Sequence, residues 1–327
     1  MKLGVLTNLL ADVPFAEAAK YFASLGIKAV EIGCGGYPGK AHADPDVLLN
    51  DEKALNDFRD VLKKNDLMIS AFSCHGNPVH PNKDIAKSYD EQFRKAILLC
   101  EKMGVNTIVG FSGCPGDSPN SQYPNWVTCA WPEDFLAIKD YQWNECLIPY
   151  WTEMAAFARD HGVTRIAFEM HPGFCVYNPE TLLNLRAAVG PEIGANFDPS
   201  HLVWQGIEPA QAIKTLKDCM WHFHAKDTRI DKANTAVNGV LDYKHYSDVM
   251  NRSWVFRTIG YGSGEDAWRE IVSALRTIDY DYVMSIEHED SLMSQREGLE
   301  KAVKTLKEVM TFSGKGVMTW APKLPNR

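Results

Sequence analysis

Four short apolar runs between residues 164 and 290 each end in a side chain that can bind a metal ion. The runs read TRIAFEMH, IGANFDPSH, MWHFHAKD and YVMSIEHED, and they place Glu169, Asp198, His224 and Glu287 at comparable positions. Carboxylates and imidazole are ligands that divalent cations take in proteins. The four residues therefore predict one divalent-metal site, provided that the fold brings them together.

The charge of such a cluster supports this interpretation. Three carboxylates and one neutral imidazole carry about three negative charges, which is very unfavourable in a small buried space unless a cation compensates them. Oxygen-rich ligation with a single histidine favours Mn²⁺, Mg²⁺ or Co²⁺ over a thiolate-type zinc site. The ligand types leave the choice among these three ions open.

Strand geometry adds neighbours to the four candidates. Side chains two residues apart lie on the same face of a strand. The residues that share a face with the predicted ligands are also polar, namely His171, Asn196, His222, Lys226 and Glu289. The alternate residues, such as Phe168 and Phe223, are apolar. We therefore expect the polar face to point into the site and the apolar face to pack against helices.

The elements that must position these residues alternate between strand and helix patterns. Eight apolar runs predict strands, at residues 2–7, 27–33, 67–73, 105–111, 164–170, 193–197, 220–226 and 282–287. Strands that alternate with helices form a parallel sheet, and a count of eight predicts a closed (β/α)₈ TIM barrel. In such barrels the active site lies at the C-terminal ends of the strands. An open doubly wound sheet is the alternative, but no GxGxxG turn follows the first strand.

Two long polar and aromatic segments interrupt this alternation, at residues 112–132 after the fourth strand and 227–264 after the seventh. Loops this long are usually binding loops or lids. The first carries Trp126, a candidate for stacking on a bound substrate. No linker or change in composition divides the chain, so residues 1–327 are predicted to form one domain, with an irregular tail from about residue 313.

The composition argues against several functional classes. The chain has 327 residues and a net charge of −8, without the basic stripe that binds nucleic acid. No apolar run approaches the length of a membrane helix, and the N-terminal residues lack the apolar core of a signal peptide. The eight cysteines form no CxxC pair and are typical of reduced thiols. We expect a cytoplasmic protein that binds neither nucleic acid nor membranes.

At the four predicted ligands the sequence resembles the xylose isomerase-like superfamily of sugar phosphate isomerases and epimerases, and within it the ketose 3-epimerases. The resemblance implies that the ion is held by Glu169, Asp198, His224 and Glu287, and that it is Mn²⁺, with Mg²⁺, Co²⁺ and Zn²⁺ as alternatives. It also implies that Glu169 and Glu287 transfer protons. In this family a histidine three residues after the aspartate contacts the substrate, and often so does an arginine after strand seven. Further candidates lie at predicted strand ends or on the long loop. The substrate-binding candidates are therefore His171, His201, Lys226, Arg229, His75 and Trp126.

Four further segments resemble a bacterial group that includes the α subunits of C-glycoside deglycosidases. They read SCHGNPVHP, NWVTCAWP, EMHPG and HAKDTRID. This similarity implies an alternative function, a lyase that cleaves 3-oxo-glycosides together with a small β subunit.

The main prediction is a metal-dependent isomerase or epimerase of a sugar or keto-sugar, which abstracts a proton next to a carbonyl through a metal-stabilised enediolate. It is expected to form a homo-oligomer, or a hetero-oligomer if the lyase alternative holds. A non-catalytic sugar-binding barrel is the third possibility, and the complete set of ligands argues against it.

Overall fold

Eight parallel strands close into a barrel in the computed structural model, which describes residues 1–316 and 318–320. The barrel strands are β1 (Lys2–Leu6), β2 (Ala29–Gly36), β3 (Met68–His75), β4 (Thr107–Gly110), β5 (Arg165–Glu169), β6 (Ile193–Phe197), β7 (Met220–Ala225) and β10 (Val283–Ile286). β1 pairs with both β2 and β10, which closes the sheet. The predicted TIM barrel is confirmed, and each predicted strand overlaps the observed one.

Helices surround the barrel. They are α1 (Phe15–Ser24), α2 (Pro45–Leu48), α3 (Glu52–Lys64), α4 (Lys83–Met103), α5 (Asp134–Tyr141), α6 (Ile148–Asp160), α7 (Pro179–Val189), α8 (Pro199–Val203), α9 (Pro209–Thr215), α10 (Lys232–Asn238), α11 (Glu265–Thr277) and α12 (Gln295–Val309). A π-helical stretch, Gln142–Leu147, joins α5 to α6. No helix in the described part of the chain has the length and apolar character needed to cross a membrane.

The apolar core fills the layer between the strands and the helices. Phe168 of β5 packs edge-on against Trp151 of α6, and Phe223 of β7 packs edge-on against Trp268 of α11. All four side chains are fully buried. The alternation predicted from the sequence therefore has its apolar face toward the helices, as expected for a TIM barrel.

The barrel interior is polar. Such interiors are usually filled by branched apolar side chains. Here many of the fully buried interior residues are polar or charged, among them Glu31, Ser70, Ser73, Asn196, His222, His224 and Ser285. Because buried polar groups need hydrogen-bond partners, these side chains must satisfy one another beneath the C-terminal end of the barrel.

The segment after β7 is folded, which corrects the prediction of a long loop there. It contains β8 (Asp227–Ile230) and β9 (Trp254–Arg257), which pair antiparallel outside the barrel, and it also contains α10. Each strand has only four residues, too few to show a recognisable period in a polar segment. Residues 112–132 contain no helix or strand, as predicted. Residues 313–316 and 318–320 also contain no helix or strand, and the rest of the tail lies outside the described residues.

Asp227 fixes this segment to the barrel. Its buried carboxylate accepts hydrogen bonds of 2.8–3.1 Å from the backbone N–H groups of Thr228, Gly260, Gly262 and Ser263 and from the indole N–H of Trp268. One side chain therefore binds both ends of the segment that carries β8 and β9.

Asp227→Ala should lower the free energy of unfolding by about 3–5 kcal/mol in urea titrations, because it leaves several buried donors without an acceptor. The control is Asp231→Ala, which removes the N-terminal cap of the exposed helix α10. That variant should lose much less, as is usual for one helix cap. Equal losses in the two variants would contradict the anchoring role of Asp227.

Candidate metal and active site

The C-terminal ends of four strands bring the predicted ligands together. Glu169 ends β5, His224 lies at the end of β7, and Asp198 and Glu287 directly follow β6 and β10. One possible ligand atom from each of the four lies within 4.8 Å of the others. His224 Nδ1 is 2.9 Å from Glu169 Oε2 and 3.0 Å from Glu287 Oε2. The arrangement has the size of a single metal centre.

Three atoms in this cluster fit a bound cation. Asp198 Oδ2, His224 Nδ1 and Glu287 Oε2 are buried and form no hydrogen bond with the described residues. Buried polar atoms without partners are unfavourable. A divalent cation among them would satisfy all three, and carboxylate oxygens with one imidazole nitrogen are a suitable donor set.

Lys226 supplies one positive charge inside the cluster. Its ammonium lies 3.1 Å from Asp198 Oδ2, 2.9 Å from Glu287 Oε2 and 3.0 Å from Glu289 Oε2. The first two contacts lack hydrogen-bond geometry. Burial alone would lower the pKa of Lys226, but these carboxylates outweigh it and hold that pKa well above its ordinary value. The charge deficit at the site is therefore smaller than the four predicted ligands alone indicate.

Glu31 of β2 belongs to the site although it was not among the predicted site residues. Its two carboxylate oxygens lie 2.9 and 2.8 Å from His224 Nε2. Burial raises the pKa of Glu31, but the imidazoles of His224 and His222 outweigh this effect and lower it to about 2. A single charged residue inside the apolar run AVEIG is the sequence signal that points to an inward-facing role.

Three histidines predicted to contact the substrate surround Glu169. His201 Nε2 is 2.9 Å from Glu169 Oε1, and His75 Nε2 is 3.5 Å from Glu169 Oε2. Neither ring nitrogen of His75 forms a hydrogen bond within the described structure. The ring of His171 lies 4.1 Å from that of His201, between centroids. Burial and the neighbouring His201 lower the pKa of His171 to about 3, so this imidazole is neutral.

The structure does not bring two predicted substrate contacts to the cluster. Arg229 is exposed on β8, and it lines a separate surface hollow with Thr228 and Asp231. Since side chains alternate along a strand, the burial of Thr228 turns Arg229 outward. Trp126 packs edge-on against Tyr177, with 5.5 Å between ring centroids, and lines another hollow beside the π-helical stretch. Both residues lie outside the hollow that adjoins the cluster at His171 and at Phe256 beside Lys226.

That hollow has a volume of about 550 Å³ and mostly aromatic walls. It is lined by Tyr37, Phe111, His171, Phe174, Tyr246, Val255, Phe256, Glu289 and Ser291. Phe111 stacks on Phe174 on one side, and Tyr246 stacks on Phe256 on the other. The Lys226 ammonium lies 4.7 Å from the centroid of the Phe256 ring, which joins the aromatic walls to the charged floor. The space suits a small molecule with both polar and apolar parts.

Comparison with known proteins places the chain among its relatives. The family profile of the xylose isomerase-like TIM barrel matches residues 19–309. The uncharacterized protein YfiH of Bacillus subtilis (strain 168) is 36% identical over 313 residues, which cover 95% of this chain and 100% of YfiH.

Solved structures share the fold at lower identity. A D-tagatose 3-epimerase-like protein is 21% identical with a TM-score of 0.62, over 94% of this chain and 98% of its own. A xylose isomerase-like TIM barrel protein from Mycobacterium smegmatis, in complex with magnesium, is 17% identical with a TM-score of 0.61, over 95% and 98% of the two chains. The IOLI protein, with a binding zinc atom, is 18% identical with a TM-score of 0.62, over 94% and 96%.

Lys226→Met should destabilise the metal-free protein by about 3–5 kcal/mol, because removing one partner of a buried ion pair leaves the other charges uncompensated. We expect a lower melting temperature than wild type in EDTA and a larger increase when Mn²⁺ is added. The control is Lys301→Met, which breaks an ion pair with Glu297 on the exposed face of α12 and should melt like wild type. A Lys226→Met protein that is as stable as wild type in EDTA would refute the charge-compensating role.

Proposed function

Because the chain belongs to the xylose isomerase-like TIM barrel family, we propose that it is a divalent-metal-dependent isomerase or epimerase of a sugar or keto-sugar. The observation that carries the proposal is the convergence of ligand atoms from Glu169, Asp198, His224 and Glu287 within 4.8 Å of one another. The aromatic hollow adjoins this cluster through Glu289 and Phe256, which both contact Lys226. The name of one structural neighbour, a D-tagatose 3-epimerase-like protein, supports the reaction class.

Glu169, Asp198, His224 and Glu287 would hold the ion. Oxygen donors with a single imidazole suit Mn²⁺, and the magnesium and zinc in two neighbouring structures are compatible with the same kind of site. When bound, a divalent cation would polarise the substrate carbonyl and stabilise the negative charge of an enediolate.

Glu169 and Glu287 are the proposed acid–base pair. One carboxylate would accept the proton from the carbon next to the carbonyl and, now protonated, could return it to the neighbouring carbon in an isomerisation. In an epimerisation the other, after taking a proton from solvent, would deliver it to the opposite face of the same carbon. Burial raises the pKa of Glu287, but Lys226 and His224 outweigh it and keep that pKa below its ordinary value, so the carboxylate is ionised at neutral pH.

The other polar residues at the mouth would bind and orient the substrate. The Lys226 ammonium, already 3.0 Å from the half-exposed Glu289, would donate to a substrate oxygen on which charge develops. His75, His171 and His201 would bind hydroxyl groups. The free ring nitrogens of His75 support this role, since they have no partner among the described residues.

The decisive experiment is a screen of ketoses, inososes and 3-oxo-glucosides with Mn²⁺ in D₂O, with solvent deuterium uptake as the readout. Glu287→Gln should lower turnover by about 10²–10⁴-fold, the usual contribution of a general acid or base. Because the amide oxygen can still bind a cation, this variant should retain metal, as measured by elemental analysis.

The control for that screen is Glu297→Gln on the exposed face of α12, which should behave like wild type. Full activity of Glu287→Gln would refute the acid–base assignment. A wild-type protein that binds a sugar but contains no metal and exchanges no deuterium would favour the non-catalytic barrel.

The aromatic hollow favours a second candidate, a lyase that cleaves 3-oxo-glycosides. Removal of the proton at C2, next to the 3-oxo group, gives an enolate. Its electron pair then forms a C1–C2 double bond as the C1 substituent leaves and takes up a proton. The sugar would bind the charged floor, and an apolar substituent would lie between the Phe111–Phe174 and Tyr246–Phe256 stacks. This candidate would work with a small β subunit, whereas the isomerase or epimerase would be a homo-oligomer.

The Phe174→Ala variant distinguishes the lyase from the isomerase or epimerase. Loss of one aromatic contact should lower kcat/KM for a 3-oxo-glycoside with an aromatic substituent by about tenfold, and leave kcat/KM for the methyl 3-oxo-glycoside unchanged. The control is Tyr243→Ala, whose side chain is fully exposed outside the hollow. Turnover of free ketoses without any cleavage of glycosides would rule out the lyase.

A further inference from the structure

We infer that Glu31 is a positioning residue for the metal centre, which fixes the tautomer and orientation of His224 so that the Nδ1 lone pair faces the cation. The inference rests on the proposed function, because it requires a cation at the four ligands. Glu31 lies on β2 and His224 on β7, and these strands are not neighbours in the sheet. The contact therefore crosses the barrel interior.

The contact with Glu31 allows His224 only one tautomer when a metal ion is bound. Both oxygens of Glu31 lie within 2.9 Å of Nε2, and a carboxylate can only accept, so Nε2 must carry a proton. A neutral imidazole has a single N–H group, which leaves Nδ1 with a free lone pair. That atom is the one that lies close to Glu169 and Glu287. Protonation at Nε2 and ligation through Nδ1 are thus two results of one hydrogen bond.

Glu31 is itself held in place. Ser285 Oγ donates to Oε2 at 2.8 Å, and Ser73 Oγ donates to Oε1. These hydroxyls come from β10 and β3, and the His224 imidazole comes from β7, so three other strands fix the carboxylate from different directions. Glu31 is fully buried and does not line the hollow above the site. Any effect of Glu31 on a bound substrate is therefore indirect and passes through His224.

A different assignment, in which Glu31, His222 and His224 hold a cation of their own, fits the contacts less well. The three residues lie close enough for it. However, His222 Nδ1 is 2.9 Å from Asn196 Oδ1, and its Nε2 is 3.1 Å from Ser70 Oγ. Both ring nitrogens of His222 are thus engaged, and Nδ1 is 3.9 Å from Glu31. The arrangement matches a carboxylate that orients a ligand better than it matches a second centre.

A carboxylate on the far nitrogen makes an imidazole a stronger ligand, and loss of such a partner typically weakens metal binding by 10–100-fold. Glu31→Gln keeps the shape and one acceptor oxygen but removes the charge. We therefore expect the Kd for Mn²⁺, measured by titration calorimetry, to rise about 10–100-fold, while the far-ultraviolet circular dichroism stays like that of wild type.

The matched control is Ser70→Ala. Ser70 belongs to the same buried network and contacts His222, but it does not contact Glu31 or His224. If Glu31 only stabilised the fold, both variants would melt earlier and both would keep the wild-type Kd. The inference requires that Kd changes in Glu31→Gln and stays unchanged in Ser70→Ala. An unchanged Kd in Glu31→Gln, with metal-binding wild type, overturns the inference and leaves the proposed function standing.

A second measurement uses the wild type and does not depend on the folding of a variant. In Zn²⁺-loaded protein with ¹⁵N-labelled histidine, the His224 signals should show a proton on Nε2 and none on Nδ1. A proton on Nδ1 overturns the inference. A wild-type protein that binds none of Mn²⁺, Mg²⁺ and Zn²⁺ overturns the proposed function and the inference with it.

Discussion

Electrostatic repulsion among buried carboxylates is the constraint that determines which other side chains surround them at the C-terminal end of the barrel. Glu31, Glu169 and Asp198 are almost completely buried within one small region, and Glu287 is nearly so. The positive charge of Lys226 offsets part of this repulsion. His224 lies close to Glu169 and Glu287 through Nδ1 and to Glu31 through Nε2. Burying an ionised carboxylate is tolerated only when a positive charge lies beside it and hydrogen-bond donors satisfy its remaining lone pairs. The site therefore needs positively charged side chains and hydrogen-bond donors at fixed positions. The parallel strands of the closed barrel hold such side chains in place.

The polar interior follows from the same constraint. A barrel filled with branched apolar residues would leave Glu31 without donors, whereas Ser73 and Ser285 supply hydroxyl groups to it. His222 Nδ1 lies 2.9 Å from Asn196 Oδ1. Asn196 Nδ2 in turn donates a hydrogen bond of 3.4 Å to Glu169 Oε2. The network thus links the floor of the site to several strands. A candidate ligand held by such a network would keep its rotamer in the absence of an ion, which would favour tight and selective metal binding.

The charged floor and the aromatic walls of the hollow come from different parts of the chain. The charged floor is built by strand ends, whose positions the barrel fixes. The aromatic walls are built by the segments that follow the strands, including Phe174 after β5 and Tyr246 in the folded segment after β7. Such segments vary more freely than the strands do. The arrangement therefore allows one charged floor to be combined with different walls, and Phe256, beside Lys226, is where the two regions meet.

The sequence alone determined the barrel and the four metal-ligand candidates. Both depend on local regularities, because the alternation of strands and helices defines the fold and the last residues of the strands define its mouth. The tertiary structure decided the rest. Glu31 and His224 are 193 positions apart, and their contact depends on barrel closure and side-chain rotamers, which no local pattern encodes. Likewise, Arg229 follows strand seven in sequence, but β8 turns it outward. β8 itself has four residues and becomes visible only through its pairing with β9.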